Sequence, residues 1–288
     1  MARRRYADDP VSRLAIWARR CAFFALAATV LSILIVRSGI LEIVPALATF
    51  AGALVFAVIG IVLAFGAFIV IWKDGSRGMG HAFAAIGIGL ALSAYPAYLG
   101  YRAYTLPMIN DITTDALDPP RFDVLARLRP RGTVEYAGLY AAELQRKAYP
   151  DVETLNVNAA PKLAYDAAMA VITRRKWRIV VDRPPQPPRR DGVIEAVART
   201  PIMGFREDIA LRIRRDDDGS RIDARSASRF GRHDFGSNAA RVKSLLDDID
   251  DRLTADSEKA ERAAQRQLQQ QQKKNQPTGK DAKPPRRP

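Results

Sequence analysis

The sequence predicts three N-terminal transmembrane helices followed by an α+β two-layer domain, an antiparallel sheet in the order β-α-β-β-β-β-α. Three observations predict this. Long apolar runs fill residues 18–101; strand-period and helix-period apolar patterns alternate in the polar stretch beyond them; and proline, glycine and aspartate clusters punctuate those patterns. The chain divides into a basic cytoplasmic N-terminus (1–17), a three-helix transmembrane anchor (18–101), a connector (102–150), an α+β soluble domain (151–253) and a disordered basic tail (254–288) into which a helical extension of the domain frays.

A bilayer core about 30 Å thick needs roughly 20 apolar helical residues, because hydrocarbon offers peptide groups no partners and a helix satisfies them internally. The first span, Ala18–Val36, carries charge only at Arg19 and Arg20, whereas Ile43–Trp72 and Ala82–Tyr101 carry none. A cleavable signal peptide is the competing reading of the first span. Its apolar core exceeds the roughly 7–15 residues usual for such signals, and another apolar run follows at once, so we read a retained anchor. The second span, from Pro45 to Trp72, would rise roughly 42 Å as a helix and must tilt or protrude. Gly52, Gly60, Gly66, Gly87 and Gly89 permit close helix approach in lipid. These spans hold no buried ionisable groups of the kind that mark ion and substrate pathways, which argues against transport.

Arg3, Arg4, Arg5 and Arg13 precede the first span, Arg19 and Arg20 lie at its very start, and Lys73 and Arg77 lie between the second and third. Positive residues favour the cytoplasmic side. The simplest topology is therefore an inner-membrane protein with its N-terminus inside and its large domain in the periplasm. A re-entrant pair, or insertion of only two spans, would instead leave that domain cytoplasmic.

Cys21 is the only cysteine, and His81 and His233 are the only histidines. An intrachain disulfide and a cysteine-rich or imidazole-rich metal site are excluded, and no cofactor motif is present. The net charge of +14 invites a nucleic-acid reading. Much of the excess sits near the membrane and in the tail, where the lipid bilayer and its anionic headgroups are the nearer partner.

In the soluble part, the Asx, Thr and Pro residues of 110–120 favour turns, and a short helix is expected over 134–147. Thr154–Val157 reads as a strand, and Pro161 opens a helix to Arg174 that buries Leu163, Ala164, Ala167, Ala168, Val171 and Ile172. Strands follow at 177–181, 193–199, 209–213 and 222–224. A Pro/Arg loop at 184–190 separates the first two, and Asp216-Asp217-Asp218-Gly219 forms a hairpin turn between the last two. A final helix from about Asp234 presents Val242, Leu245, Leu246, Ile249 and Leu253. The TATA-binding-protein half-fold shares this element order, a likeness that says nothing of function.

The densest polar cluster runs from Arg225 to Asn238, with Arg241 one turn later and Gly204-Phe205-Arg206-Glu207-Asp208 upstream. Its Ser-x-Ser-Arg-x-Gly-x-x-Asp-x-Gly-x-Asn-x-x-Arg pattern resembles the bacterial and chloroplast family catalogued as domain of unknown function number 1499. The anchored form, with Asp-Ile-Thr-Thr-Asp and Tyr-Pro-Asp before the domain, resembles its alphaproteobacterial members. The resemblance spans about Leu106 to Leu253 and implies a fold and a topology but no reaction.

Strand alternation sends Arg225, Ala227 and Arg229 to one face and Ser226 and Ser228 to the other. Asp234 is placed to cap the last helix, Gly236 permits the tight entry, and Asp208 can pair with Arg225 or Arg229. One reading is a hydrogen-bonded structural corner. Another is an anion site at the helix N-terminus, with Arg225, Arg229, Asp234, Gly236, Asn238, Arg241 and Asp208 as its candidate residues and a lipid headgroup or cell-wall component as ligand. A hydrolase using Ser226 or Ser228 with His233 and Asp208 is a further alternative, although no Gly-x-Ser-x-Gly elbow supports it. Asp247, Asp248, Asp250 and Asp251 spread over an outer helix face and match no calcium loop. The functional expectation is an envelope protein that binds or scaffolds rather than catalyses. Its alternatives are an enzyme acting on an anionic substrate and a subunit of a membrane protein assembly.

Overall fold

A computed structural model describes residues 10–39, 43–129, 136–186 and 191–275. Three helices come first: α1 (Arg13–Ser38), α2 (Ile43–Asp74) and α3 (Met79–Thr105). Each is long and apolar enough to cross a membrane. Their packing follows from small residues at alternating three- and four-residue spacing. On α1 the buried positions are Ala15, Ala18, Ala22, Ala25, Thr29, Ser32 and Val36; on α2 they include Ala53, Ala57, Gly60, Ala64, Ala67 and Ile71. That seven-residue rhythm is the seam of a left-handed helix pair. Two of the expected glycines serve it. A Cβ on Gly60 would lie 3.2 Å from the Ala18 carbonyl oxygen, and one on Gly89 would lie 2.6 Å from Ile61 Cγ1. Gly52 and Gly87 face open space instead, so not every glycine of the spans is a contact.

The helix ends sort into two groups. At one end the Ser12 N–H donates to the Arg77 carbonyl at 2.8 Å and the Arg77 N–H donates to the Pro10 carbonyl at 3.1 Å, joining the residues just before α1 to the α2–α3 turn. At the other, the end of α1 and the start of α2 meet the soluble domain through Val36, Ala46 and Met203.

The soluble domain comprises β1 (Asp111–Thr113), α4 (Gly138–Ala148), β2 (Leu155–Val157), α5 (Pro161–Arg174), β3 (Arg178–Arg183), β4 (Gly192–Arg199), β5 (Arg206–Asp216), β6 (Gly219–Ser228) and α6 (Ser237–Asn275). All strand pairs are antiparallel, in the order β1-β6-β5-β4-β3, with β2 pairing to β6 beside β1. The expected strand, helix, four strands, helix order is present. The β5–β6 hairpin turns where expected, with Asp216 opposite Gly219. There φ is +150° and a Cβ would overlap the Val157 carbonyl oxygen, so glycine is required.

α5 and α6 cover one sheet face. Their apolar stripes, among them Ala168, Val171, Ile172, Val242, Leu245 and Ile249, meet Ile194, Ala196, Ile209, Leu211, Ile213 and Ile222. Leu163, expected in this core, is 60% exposed; Tyr165 takes the buried place and donates its hydroxyl hydrogen bond to Asp182. Leu163 lies just off the stripe that Ala164, Ala168, Val171 and Ile172 define at helical spacing.

One boundary differs from the sequence reading. Residues 102–150 are not merely a connector, because β1 is a sheet strand and the stretch after it covers the second sheet face. There Phe122 and Leu125, at a one-turn 3-10 helix (Leu125–Leu128), pack on Val197, Ala210 and Ala227. Beneath them buried Glu195 accepts the backbone N–H groups of Asp123 (2.8 Å), Val124 (3.3 Å) and Leu125 (2.8 Å). The helical extension expected beyond residue 254 is long. α6 continues unbroken past residue 254 to Asn275, supported by pairs one turn apart, Arg252–Asp256 at 2.7 Å and Arg262–Glu258 at 3.1 Å. The rest of that expected tail, 276–288, and part of the Pro/Arg loop, 187–190, lie outside the described residues.

Because Gly60 sits backbone to backbone with α1, Gly60→Leu should lower the thermal unfolding midpoint of the detergent-solubilised chain, at a cost of about 1–3 kcal/mol. Gly52→Leu, at an open position, should stay within about 0.5 kcal/mol of the unsubstituted chain.

Candidate functional site

The polar cluster singled out in the sequence is not one site. Register pairs Glu207 with Ser228 and Asp208 with Ala227, and strand alternation then divides the cluster between the two faces of the sheet.

On the helix face, buried Ser226 donates to Asn238 Oδ1 at 2.8 Å and accepts from Arg241 Nη1 at 3.1 Å. Ser228 donates to Glu207 Oε1 at 3.2 Å and accepts from Asn238 Nδ2 at 3.0 Å. Arg241 forms an ion pair with Glu207 and also donates to Asn238 Oδ1 at 2.8 Å. Burial pushes the Glu207 carboxyl above its ordinary range, against the pull of Arg241, and burial likewise draws the Arg241 guanidinium down. Asp234 caps α6 as expected. Its two carboxylate oxygens accept the N–H groups of Gly236 and Asn238, each at 2.9 Å. Burial raises its carboxyl, while those two N–H groups act in the opposite sense. Gly236 has φ +77°, and a Cβ there would run into Arg102 Nη2.

On the opposite face, Asp208, fully buried, accepts from Arg229 Nε and Nη2 at 2.9 and 2.7 Å and lies 3.5 Å from Arg129 Nη1. Arg225 pairs with Asp111 at 2.6 Å, donates to the Pro120 carbonyl at 3.2 Å, and lies with its guanidinium 4.6 Å from the Phe122 ring centre. Of the two partners expected for Asp208, Arg229 is the one found. A second ionic group shares this face: Arg212, Arg214 and Arg221 surround Asp115 and Asp223, and Thr154 donates to Asp223 at 2.7 Å. Burial raises the Asp223 carboxyl, but the Thr154 and Arg212 hydrogen bonds with the charges of Arg221 and Arg212 outweigh it and hold it below 3.8.

The serine–histidine arrangement is not assembled. Ser226 and Ser228 are bonded to Asn238, Arg241 and Glu207, and His233 Nδ1 accepts the Phe235 N–H at 2.9 Å, with the two rings stacked. Asp208 lies on the far face. Among the described residues no group of His, Cys, Asp or Glu is arranged to hold a metal ion. Of the four helix aspartates, Asp248 pairs with Arg174 and Arg175 and the others are exposed.

Residues 111–249 match the family described as protein of unknown function (DUF1499). The soluble domain of this chain belongs to the DUF1499 family. No curated protein and no solved structure matches the chain. The DUF1499 match begins at the first residue of β1 and ends at Ile249, a fully buried position of α6, so the family unit coincides with the packed domain. Sequence reasoning missed Glu207, Glu195, Asp223, Asp111 and Arg129, which supply most of the counter-charge. One signal was available for Glu207: it lies in phase with Ile209, Leu211 and Ile213, on the core-facing side of its strand.

Removing the cap with Asp234→Ala should cost about 1–2 kcal/mol in denaturant unfolding. For Asp223, a lowered folded pKa means stabilisation that is present above 3.8 and lost as the pH falls through the folded value. Asp223→Asn should therefore be less stable at neutral pH and should lose less of its stability as the pH falls below about 3.8 than the unsubstituted chain.

Proposed function

We propose that this is a plasma-membrane protein of the cell envelope whose DUF1499 domain binds or scaffolds rather than catalyses. The observation that carries the proposal is the internal pairing of the cluster. Arg225, Arg229 and Arg241 each face a carboxylate of the same domain, and the two serine hydroxyls belong to the same closed network. An exogenous anion at the α6 N-terminus would have to compete with Asp111, Asp208 and Glu207 for those guanidinium groups. The structural corner therefore fits better than the anion site or the hydrolase, and recognition falls to the domain surface.

The periplasmic placement rests on charge. Pro10, Ser12 and Arg13 share their end of the bundle with Lys73 and Arg77, and the domain sits at the other end. Positive residues favour the cytoplasm, and the likeness to anchored alphaproteobacterial members agrees with that sidedness.

The first test is energetic. Arg229→Ala and Arg241→Ala each leave a buried carboxylate with its main partner gone, and each should cost about 3 kcal/mol in the unfolding of the full chain. Residues kept for a ligand at the expense of folding would do the opposite, and a gain in stability on their removal would overturn the corner reading. The second test is sidedness. In a Cys21→Ala background, a membrane-impermeant maleimide should label Leu163→Cys once the outer membrane is opened, and should label Asp74→Cys only after lysis. The reverse order would refute the periplasmic placement.

A further inference from the structure

The Gly204-Phe205-Arg206-Glu207-Asp208 segment enters none of the chemistry above through its first two residues. Gly204 and Phe205 sit in the β4–β5 loop, and that loop reaches the end of the helical bundle. It is a closed structure: the Thr200 N–H donates to the Phe205 carbonyl at 2.9 Å, the Gly204 N–H to the Thr200 carbonyl at 3.1 Å, and the Phe205 N–H to Thr200 Oγ1 at 2.9 Å. Gly204 has φ +73°, and a Cβ there would lie 2.9 Å from Arg37 Cγ. Arg37, in the last turn of α1, donates to the carbonyls of Pro201 at 2.7 Å and Ile202 at 3.0 Å, and Arg199 Nη1 returns a bond to the Arg37 carbonyl at 3.0 Å. The loop is thereby fixed at the level where the apolar spans end.

What this level exposes is specific. Met203 is buried against Val36 and Ala46, with Phe205 packed beside it. Phe205 stacks on Phe230 with ring centres 6.1 Å apart. Ile202 and Phe230 remain 40% and 39% exposed. Arg206 and Arg232 flank them, both exposed, and no ion pair engages either among the described residues. The Arg206 guanidinium lies against Gly39 at the α1–α2 turn, where a Cβ would be 3.6 Å from Nη2. Apolar and aromatic side chains beside unpaired arginines, at the end of membrane-length helices, match the composition of the bilayer headgroup layer.

We propose that Ile202, Phe205, Arg206, Phe230 and Arg232 form a contact surface for the phosphate headgroups of anionic phospholipid, seating the domain on the bilayer. This rests on the membrane reading above and names the partner of that surface. Ile202 and Phe230 enter the interfacial layer, and the two arginines neutralise phosphates. Each arginine should contribute roughly a fivefold preference for anionic over neutral lipid.

The experiment is hydrogen exchange on the full chain in nanodiscs of phosphatidylcholine alone or mixed with phosphatidylglycerol. Exchange of 200–206 and 229–233 should slow several-fold when phosphatidylglycerol is present. Arg206→Gln with Arg232→Gln should remove that difference, while exchange around Leu245 and Ile249 stays unchanged and reports intact folding. Equal exchange in the two lipids would overturn the proposal and leave the anchor standing. A chain that stays dispersed without any lipid or detergent would instead overturn the membrane reading itself. A lipid difference that survives the double substitution would assign the contact to other residues and refute this surface.

Discussion

The constraint that shapes this molecule is that the central sheet has two faces to cover and only one pair of helices to do it. α5 and α6 take the apolar face. The other face carries Glu195, Asp208, Asp223 and Arg225, all buried, and charges removed from water must be paired and hydrogen-bonded. The cover that pairs them is the chain leaving the bundle: Asp111 for Arg225, the 123–125 N–H groups for Glu195, and Arg129 beside Asp208. Only residues 106–110 lie between the end of α3 and the first strand. Covering the second face thus ties the domain to the three-helix bundle with almost no slack. The clamp between Arg37 and the β4–β5 loop supplies a second attachment, far away in sequence.

This arrangement bears on function through what it leaves free. A domain whose polar cluster is neutralised internally has little charge to offer a ligand at that point. Its available chemistry lies in the surface held against the bundle end and in the long projecting α6. The ion pairs are also no simple source of stability, since burying both partners is costly and the pairing mainly offsets that cost. Their effect is to tie the cover to the sheet: with the cover in place, loss of either partner leaves the other charge buried and unpaired.

Much of the architecture was legible in the sequence because it depends on local periodicity. The three apolar spans, the α5 stripe, the four-strand meander with its aspartate–glycine turn, and the Asp234 cap all follow from patterns within a few residues. What was not legible depends on partners far away. β1 is only Asp111–Thr113 in a setting rich in turn-forming residues, and nothing local marks it as a strand; it exists because β6 offers an edge over Arg225–Ala227. The split of Arg225 and Arg229 from Ser226 and Ser228 was legible by strand alternation, but which carboxylate meets each group was not, because Glu207 and Asp208 come from another strand and face opposite ways. Gly52 and Gly60 look alike in the sequence, but only Gly60 meets a neighbouring backbone. The expected helical extension of α6 past residue 254 has no apolar stripe to fix its length, and it rests on helix-forming residues and pairs one turn apart.

The claim that the domain is held rigidly on the helical bundle is tested most directly by a pulsed electron paramagnetic resonance distance between them. Spin labels at Met79→Cys, at the far end of the bundle, and Leu163→Cys, on the exposed face of α5, in a Cys21→Ala background and a lipid bilayer, should give one narrow distance distribution. A broad or multiple distribution from a folded, membrane-inserted chain would show a domain that swings on a tether and would contradict the fixed seating described here.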